Sequence, residues 1–281
     1  MKAIILLFQV QTIFGQSAPG TESQVFAKGI VSIDTVAEFG STFSKDLTEF
    51  FYAIERKSGK AETHYRKNGR SVPLLVHETY SYNDPMLSPD EKRLYFISDQ
   101  PLGGTGPKKD FDIWYVERQK KGKWSKPINA GPSINSEKNE YYVSFTSNGT
   151  MYFSSGRNTT TELPKDYDIY SAKATTDGFE KAQKLGPEIN TEYYEGDVFI
   201  APDGSYIIVA AERAETFGSG DLFISFKTQD GNWTVLKNMG PNVNGPRFDY
   251  CPFVTHDGKY LFYTRAEDIR WVDAQIIDTL K

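Results

Sequence analysis

Ile200-Ala-Pro-Asp203-Gly204-Ser-Tyr206-Ile-Ile-Val209 is the stretch that decides the fold of this chain. An Asp-Gly pair between two apolar runs signals a tight hairpin, because both residues tolerate positive φ and so match the twist of paired antiparallel strands. Tyr206 to Ala210 is an unbroken aromatic and aliphatic run, which implies a strand buried on both faces. The same phrase recurs around Phe43-Ser-Lys-Asp46, Leu87-Ser-Pro-Asp90, Phe145-Thr-Ser-Asn148-Gly149 and Val254-Thr-His-Asp257-Gly258.

Outward from each turn the spacing predicts further strands. A third opens at Asp112-Ile-Trp114, Asp168-Ile-Tyr170, Asp221-Leu-Phe223 and Asp268-Ile-Arg-Trp271. A fourth opens at Gly122-Lys-Trp124, Gly178-Phe179 and Gly231-Asn-Trp233, and ends in Gly131-Pro-Ser-Ile-Asn135, Gly186-Pro-Glu-Ile-Asn190 or Gly240-Pro-Asn-Val-Asn244. The turn residues stand at 46, 90, 148, 203 and 257, steps close to the period of about 40 to 50 residues for propeller blades. The last unit lacks its fourth strand, and the first has a surplus strand ahead of it, Gln24 to Ile33. The expectation is an all-β chain: one five-bladed β-propeller of four-stranded antiparallel blades, whose N-terminal strand closes the last blade and pairs its open edge.

Three of these phrases carry a family resemblance. Ser88 to Asp99, Ile200 to Val209 and Thr255 to Tyr263 resemble the WD40-like β-propeller repeat of TolB-type bacterial proteins. The phrases Asp112-Ile-Trp-Tyr-Val-Glu-Arg118, Gly122-Lys-Trp-Ser-Lys-Pro-Ile-Asn129 and Gly131-Pro-Ser-Ile-Asn135 resemble the version found in Bacteroidetes envelope proteins. The likeness covers nearly all of the chain after residue 24. It implies the propeller fold, and for function it implies partner binding, envelope scaffolding or carbohydrate chemistry. The first blade departs from the pattern, since Gly69-Arg-Ser-Val-Pro73 has no aromatic where later blades have Trp or Phe.

With 281 residues, 38% hydrophobic and 14% aromatic, there is ample material for a core. A net charge of −5 provides no general basic surface for a phosphate backbone, so nucleic acid is not an expected partner. One cysteine, Cys251, excludes a disulfide framework and any Cys-rich zinc site. Met1 to Gly15 has one Lys and then an apolar run, the pattern of an export signal and too short to span a bilayer. The expected organisation is a signal peptide over 1–18, a short leader over 19–23 and the propeller over 24–281. The product would be periplasmic or secreted, monomeric and without stable membrane insertion.

Eight residues before each turn landmark stand Glu38, Tyr82, Glu140, Glu195 and Asp249; six before stand Gly40, Asp84, Tyr142, Asp197 and Cys251. On a regular strand both sets share one side, so acids from all five blades would converge at one mouth of the channel. Arg157, Arg213 and Arg265, at the ends of the second strands, would rise toward them. With Tyr194 among the carboxylates, the candidate ligand-binding set is Glu38, Asp84, Glu140, Glu195, Asp197, Asp249, Arg157, Arg213, Arg265 and Tyr194. Such groups suit a peptide or glycan, which offers hydroxyls or amides to charged groups and apolar faces to rings. Glu and Arg repeated at equivalent positions also serve as ion pairs between strands.

Asp46, Asp90, Asn148, Asp203 and Asp257 are explained by turn geometry, Asp112, Asp168, Asp221 and Asp268 by backbone bonding at the head of the third strand, and the four Trp by wedging between blades. The leading functional expectation is an exported, non-enzymatic binding or scaffold propeller that recognises an envelope protein, peptide or glycan. The alternative is a carbohydrate-active hydrolase with Glu140, Glu195 and Asp249 as catalytic candidates, because paired acids in a funnel can serve as general acid and as base or nucleophile. No Gly-x-Ser-x-Gly, His-Glu-x-x-His or P-loop pattern occurs. No metal site is expected beyond a divalent cation that the acidic mouth could hold.

Overall fold

A computed structural model describes residues 16–158 and 167–281. Five antiparallel four-stranded sheets follow one another along the chain. Blade one comprises Ala37–Phe43, Glu49–Arg56, Lys60–Lys67 and Arg70–Leu75; blade two comprises Asn83–Leu87, Arg93–Ser98, Asp112–Glu117 and Ile128–Asn129. Blade three comprises Glu140–Phe145, Met151–Ser155, Asp168–Ala172 and Gln183–Lys184, with a small side hairpin, Ala174–Thr175 with Gly178–Phe179. Blade four comprises Glu195–Ile200, Tyr206–Ala211, Asp221–Phe226 and Lys237–Asn238. The first strand of each blade is innermost and packs against its counterparts in the neighbouring blades, with the fifth returning to the first.

Blade five, Asp249–Val254, Tyr260–Arg265 and Asp268–Asp273, is completed by Gln24–Val25, with Gln24 opposite Trp271 and Val25 opposite Arg270. The closing strand is shorter than the run Gln24 to Ile33 suggests. Ala27 and Gly29 take positive φ and turn the chain out of the sheet. Phe26, fully buried, then drops into the seam between the last and first blades, edge-on to Phe43, Phe50, Phe262 and Trp271. Hydrophobic burial at this seam therefore joins the two ends of the ring alongside the short ladder. The expected export segment lies outside the described residues up to Gly15. Gln16 is described, and its side chain accepts from Ala27 N at 2.6 Å and donates to Val25 O at 3.3 Å.

The turns behave as their chemistry requires. Asp46, Asp90, Asn148, Asp203 and Asp257 each accept a backbone N–H two residues on, at 2.9 to 3.3 Å. Gly149, Gly204 and Gly258 follow them at positive φ, and in the first two blades Leu47 and Glu91 hold that left-handed position. At the other end of the blade, the Gly-Pro-x-Ile/Val-Asn phrase buries Ile134, Ile189 and Val243 completely. Its Asn side chain then mimics a strand. Asn135 pairs with both backbone groups of Ile113 at 2.9 Å, Asn190 with those of Ile169 at 2.7 and 2.9 Å, and Asn244 with those of Leu222 at 2.9 Å. Trp114 and Trp271 are buried, while Trp124 and Trp233 lie under Arg118 and Lys227.

Candidate functional site: a blind, acid-floored funnel

Every innermost strand carries a bulge at one equivalent place. The pairing with the second strand shifts between Phe39 and Ser41, Asn83 and Met86, Tyr141 and Ser144, Gly196 and Val198, and Tyr250 and Phe253. Gly40, Asp84, Tyr142 and Cys251 sit there with φ between 43° and 57°, and Asp197 holds the place in blade four. A bulge breaks the two-residue alternation of a strand, so residues on either side of it no longer share a face. The two sets that simple spacing places on one side are thereby separated.

Glu140, Glu195 and Asp249 are fully buried and form latches within their own blades. Glu195 accepts from Thr191 N at 2.9 Å and Thr191 Oγ1 at 2.5 Å, and pairs with Arg213 at 3.1 Å. Glu140 makes the same bonds to Ser136 at 2.9 and 2.6 Å and pairs with Arg157 at 3.4 Å. Asp249 accepts from Gly245 N at 2.9 Å and pairs with Arg265 at 2.7 Å. Each arginine also donates to the carbonyl of the buried Ile134, Ile189 or Val243. The latch thus fastens the loop arriving from the preceding blade to the end of the second strand. Burial outweighs these partners and raises all three carboxyls, that of Asp249 to about 6. In blade one the latch lacks its arginine, since Arg56 pairs with Glu62 instead. Glu38 accepts from Ile33 N at 3.1 Å, and its second oxygen is buried without a hydrogen-bond partner among the described residues. Burial pushes its carboxyl up to about 8.

The bulged residues meet on the axis. Asp84 of blade two and Asp197 of blade four are not neighbours around the ring, yet each places a carboxylate oxygen 3.4 Å from Cys251 Sγ of blade five. Asp197 also accepts from Cys251 N at 3.0 Å. Gly40 makes room for this cluster: a Cβ there would lie 2.8 Å from Asp84 Oδ1. Burial raises both carboxyls, with repulsion from Asp197 adding to the effect on Asp84. Burial and the two carboxylates push the Cys251 thiol well up, so it stays a neutral donor with one proton for two acceptors.

Above this floor opens a cavity of about 400 Å³. Phe39, Tyr141, Tyr194 and Tyr250 line it, and Glu55 and Glu267 contribute to its rim. An unbroken run of ring contacts supports one wall, from Phe111 to Tyr141 at 5.3 Å, to Tyr167 at 5.5 Å, and on to Tyr194, Phe248 and Tyr250 at 5.9 Å each. Gly196 allows Tyr194 to fold back, because a Cβ there would collide with the ring. The opposite lip is low, since the second and third strands of blades one and five are joined by only 57–59 and 266–267. In blades two and four the same connection is longer, 99–111 and 212–220.

Below the floor the channel is filled. Tyr142 donates to Pro252 O at 2.9 Å, Thr42 to Met86 Sδ at 3.5 Å, and Phe253 packs against Phe43 and Phe199. The funnel is therefore blind.

Of the expected site residues, the structure brings Asp84, Asp197 and Tyr194 together in the funnel. It places Glu140, Glu195, Asp249, Arg157, Arg213 and Arg265 in the latches, and Glu38 in the arginine-free one. Cys251, Tyr141 and Tyr250 join the funnel in addition. Among the described residues no group of three or more His, Cys, Asp or Glu is arranged to hold a metal ion, and no helix is long and apolar enough to cross a membrane.

No protein-family model matches this chain, and no curated protein matches it in sequence. Solved structures do match in fold. A thermostable family-43 glycoside hydrolase superposes with a TM-score of 0.55 at 11% identity, covering 87% of this chain and 90% of that one. TolB from Acinetobacter baumannii gives 0.53 at 10% identity, covering 84% of this chain and 54% of that one. A gluconolactonase from Xanthomonas campestris gives 0.51 at 8% identity, covering 90% of each. At these identities the likeness concerns the propeller fold, which binding proteins and enzymes share.

Proposed function

We propose that this chain is an exported, non-enzymatic recognition propeller that takes a projecting group of a partner protein, peptide or glycan into the blind funnel. The observation that carries the reading is the floor itself, two carboxylates from non-adjacent blades converging on one thiol beneath aromatic walls. A concave site with apolar walls and a few convergent polar groups is the usual form of a ligand site. Leu102, Tyr193 and Phe217 stand exposed on loops of the same face, apolar surface of the kind that partners cover. Export rests on the sequence of Met1 to Gly15, and the resemblance of the repeats to those of TolB-type proteins suits partner binding in the envelope. The test is capture from envelope extract on the immobilised chain, with Tyr194→Ala and Asp197→Asn as controls. A partner retained by the parent and lost from both variants supports the reading; identical retention by all three overturns it.

Glycoside hydrolysis is the second reading, favoured by one geometric fact. The Asp84 and Asp197 oxygens that meet Cys251 cannot lie further apart than twice 3.4 Å, a range that includes the ~5–5.5 Å of retaining glycosidases. The family-43 neighbour shows that a propeller of this size can host such chemistry. Release of reducing ends from an oligosaccharide panel, abolished by Asp197→Asn but not by Glu195→Gln, would establish it. No release across the panel would leave the binding role alone.

A further inference from the structure

We propose that the group the funnel receives is an organic cation, the ammonium of a lysine side chain or of a free alkylamine. This rests on the reading of the funnel as a recognition site and names the chemistry it selects.

The funnel is one-signed. Asp84, Asp197, Glu55 and Glu267 contribute to its lining, and among the described residues no Lys, Arg or His does. The latches provide the internal contrast. Each of their carboxylates in blades three to five has an arginine within 3.4 Å, whereas no ion pair reaches Asp84 or Asp197 among the described residues. Asp84 is only 6% exposed, and its oxygens take a side-chain amide of Asn83 at 3.3 Å and the Cys251 thiol at 3.4 Å. Buried carboxylates are ordinarily paired, because an uncompensated charge in a low-dielectric site is costly. Here the place a counter-charge would take is open space at the bottom of a cavity.

The walls suit the same guest. Tyr141, Tyr194, Tyr250 and Phe39 present ring surfaces to the cavity, and a cation within about 6 Å of a ring centroid is attracted by the ring quadrupole, most strongly when desolvated. An ammonium has three donors and no acceptor, and its charge favours the ionised form of two carboxyls that burial otherwise holds up; once ionised they only accept, which matches the guest. A calcium ion would need six to eight oxygens converging on it, and among the described residues no group of three or more His, Cys, Asp or Glu is arranged to hold a metal ion. The blind cavity of about 400 Å³ above that floor has room for a side chain or a chain end.

The experiment uses the full chain and capped pentapeptides Gly-Gly-Xaa-Gly-Gly, with Xaa lysine or its neutral isostere norleucine, followed by calorimetry in ~0.15 M salt, where exposed charges are screened. 1,5-Diaminopentane, calcium chloride and a neutral methyl glycoside are titrated beside them. The expected result is binding of the lysine peptide at least tenfold tighter than of the norleucine peptide, reduced tenfold or more in Asp197→Asn and in Tyr194→Ala, each shown by thermal melting to be folded. If the diamine competes, any alkylammonium suffices; if it does not, the peptide backbone is part of the epitope. Equal binding of lysine and norleucine peptides, or calcium binding lost in Asp197→Asn without any amine binding, overturns the proposal. Binding of the glycoside alone, sensitive to Tyr194→Ala, overturns the cation but keeps the recognition funnel. If no probe binds, the cation is again overturned, and the capture experiment with envelope extract decides the funnel.

Discussion

Gly40 and Asp84 face each other across the seam between the first two blades so closely that a single methyl on Gly40 would stand 2.8 Å from the Asp84 carboxylate and 3.0 Å from its Cα. Gly40 is itself at φ 57°. Gly40→Ala therefore combines left-handed strain with displacement of one wall of the acid floor. We expect a loss of about 1–2 kcal/mol from the backbone alone, read as a lower urea midpoint. Truncating Asp84 removes the closer contact, that with the carboxylate at 2.8 Å, and leaves the one with its Cα, so Gly40→Ala with Asp84→Ala should cost less than the sum of the two single changes. Strict additivity would mean that the two residues do not press on one another.

The latches predict a second non-additivity. Arg213→Met leaves Glu195, which is fully buried, without its cation, and breaking one side of a buried pair typically costs about 3–5 kcal/mol. Adding Glu195→Gln should recover much of that loss, because the amide carries no charge and can still accept from Thr191. A double variant as unstable as Arg213→Met would show that the arginine acts through its bond to Ile189 O.

Blade one gives the pH dependence. Glu38 ionises near its ordinary 4.5 in the unfolded chain and only near about 8 in the folded one, chiefly through burial, with Asp268 and Asp34 pushing the same way. Between those values the folded state holds the extra proton. Stability from this group is therefore greatest at acid pH, falls as pH rises through that interval, and levels off above it. Thermal melts from pH 5 to 8.5 should show a shallower decline in Glu38→Gln than in the parent. Parallel profiles would contradict the assignment.

Ring closure can be tested at Phe26. Its ring is fully buried among four aromatic neighbours drawn from the first and last blades, and Phe→Ala in such a place costs about 3–5 kcal/mol. Hydrogen exchange should find the loss shared by blades one and five. Opening confined to the N-terminal segment would mean that the ladder, not the aromatic seam, holds the ring shut.

Much of the architecture was legible in the sequence. The Asp-Gly turns and the aromatic runs behind them give blade number and strand order, because turn chemistry and burial are local. The surplus strand before blade one gives the closure in outline, although not its length: Gly29 is visible as a breaker, but the positive φ of Ala27 has no residue signal. The site was legible only in part. Spacing alone places Glu38, Glu140, Glu195 and Asp249 beside Asp84 and Asp197, and the bulge that separates them is a backbone event. Its one sequence trace is Gly40 standing where the other blades have Asp84, Tyr142, Asp197 and Cys251. Cys251 was visible in that register, but a single thiol without partners in sequence says nothing of two carboxylates folded against it. The Asn of the Gly-Pro-x-Ile/Val-Asn phrase was visible as a repeat, while its pairing with the third strand depends on a loop conformation that spacing does not encode.

Because the bore is stoppered by Tyr142, Phe43, Phe199 and Phe253, a long polymer has no route through the disc. Whatever docks must back out by the door it used, so residence time is set by how readily the guest's tip surrenders the floor, and a partner is held by its extremity while its body stays free to engage something else.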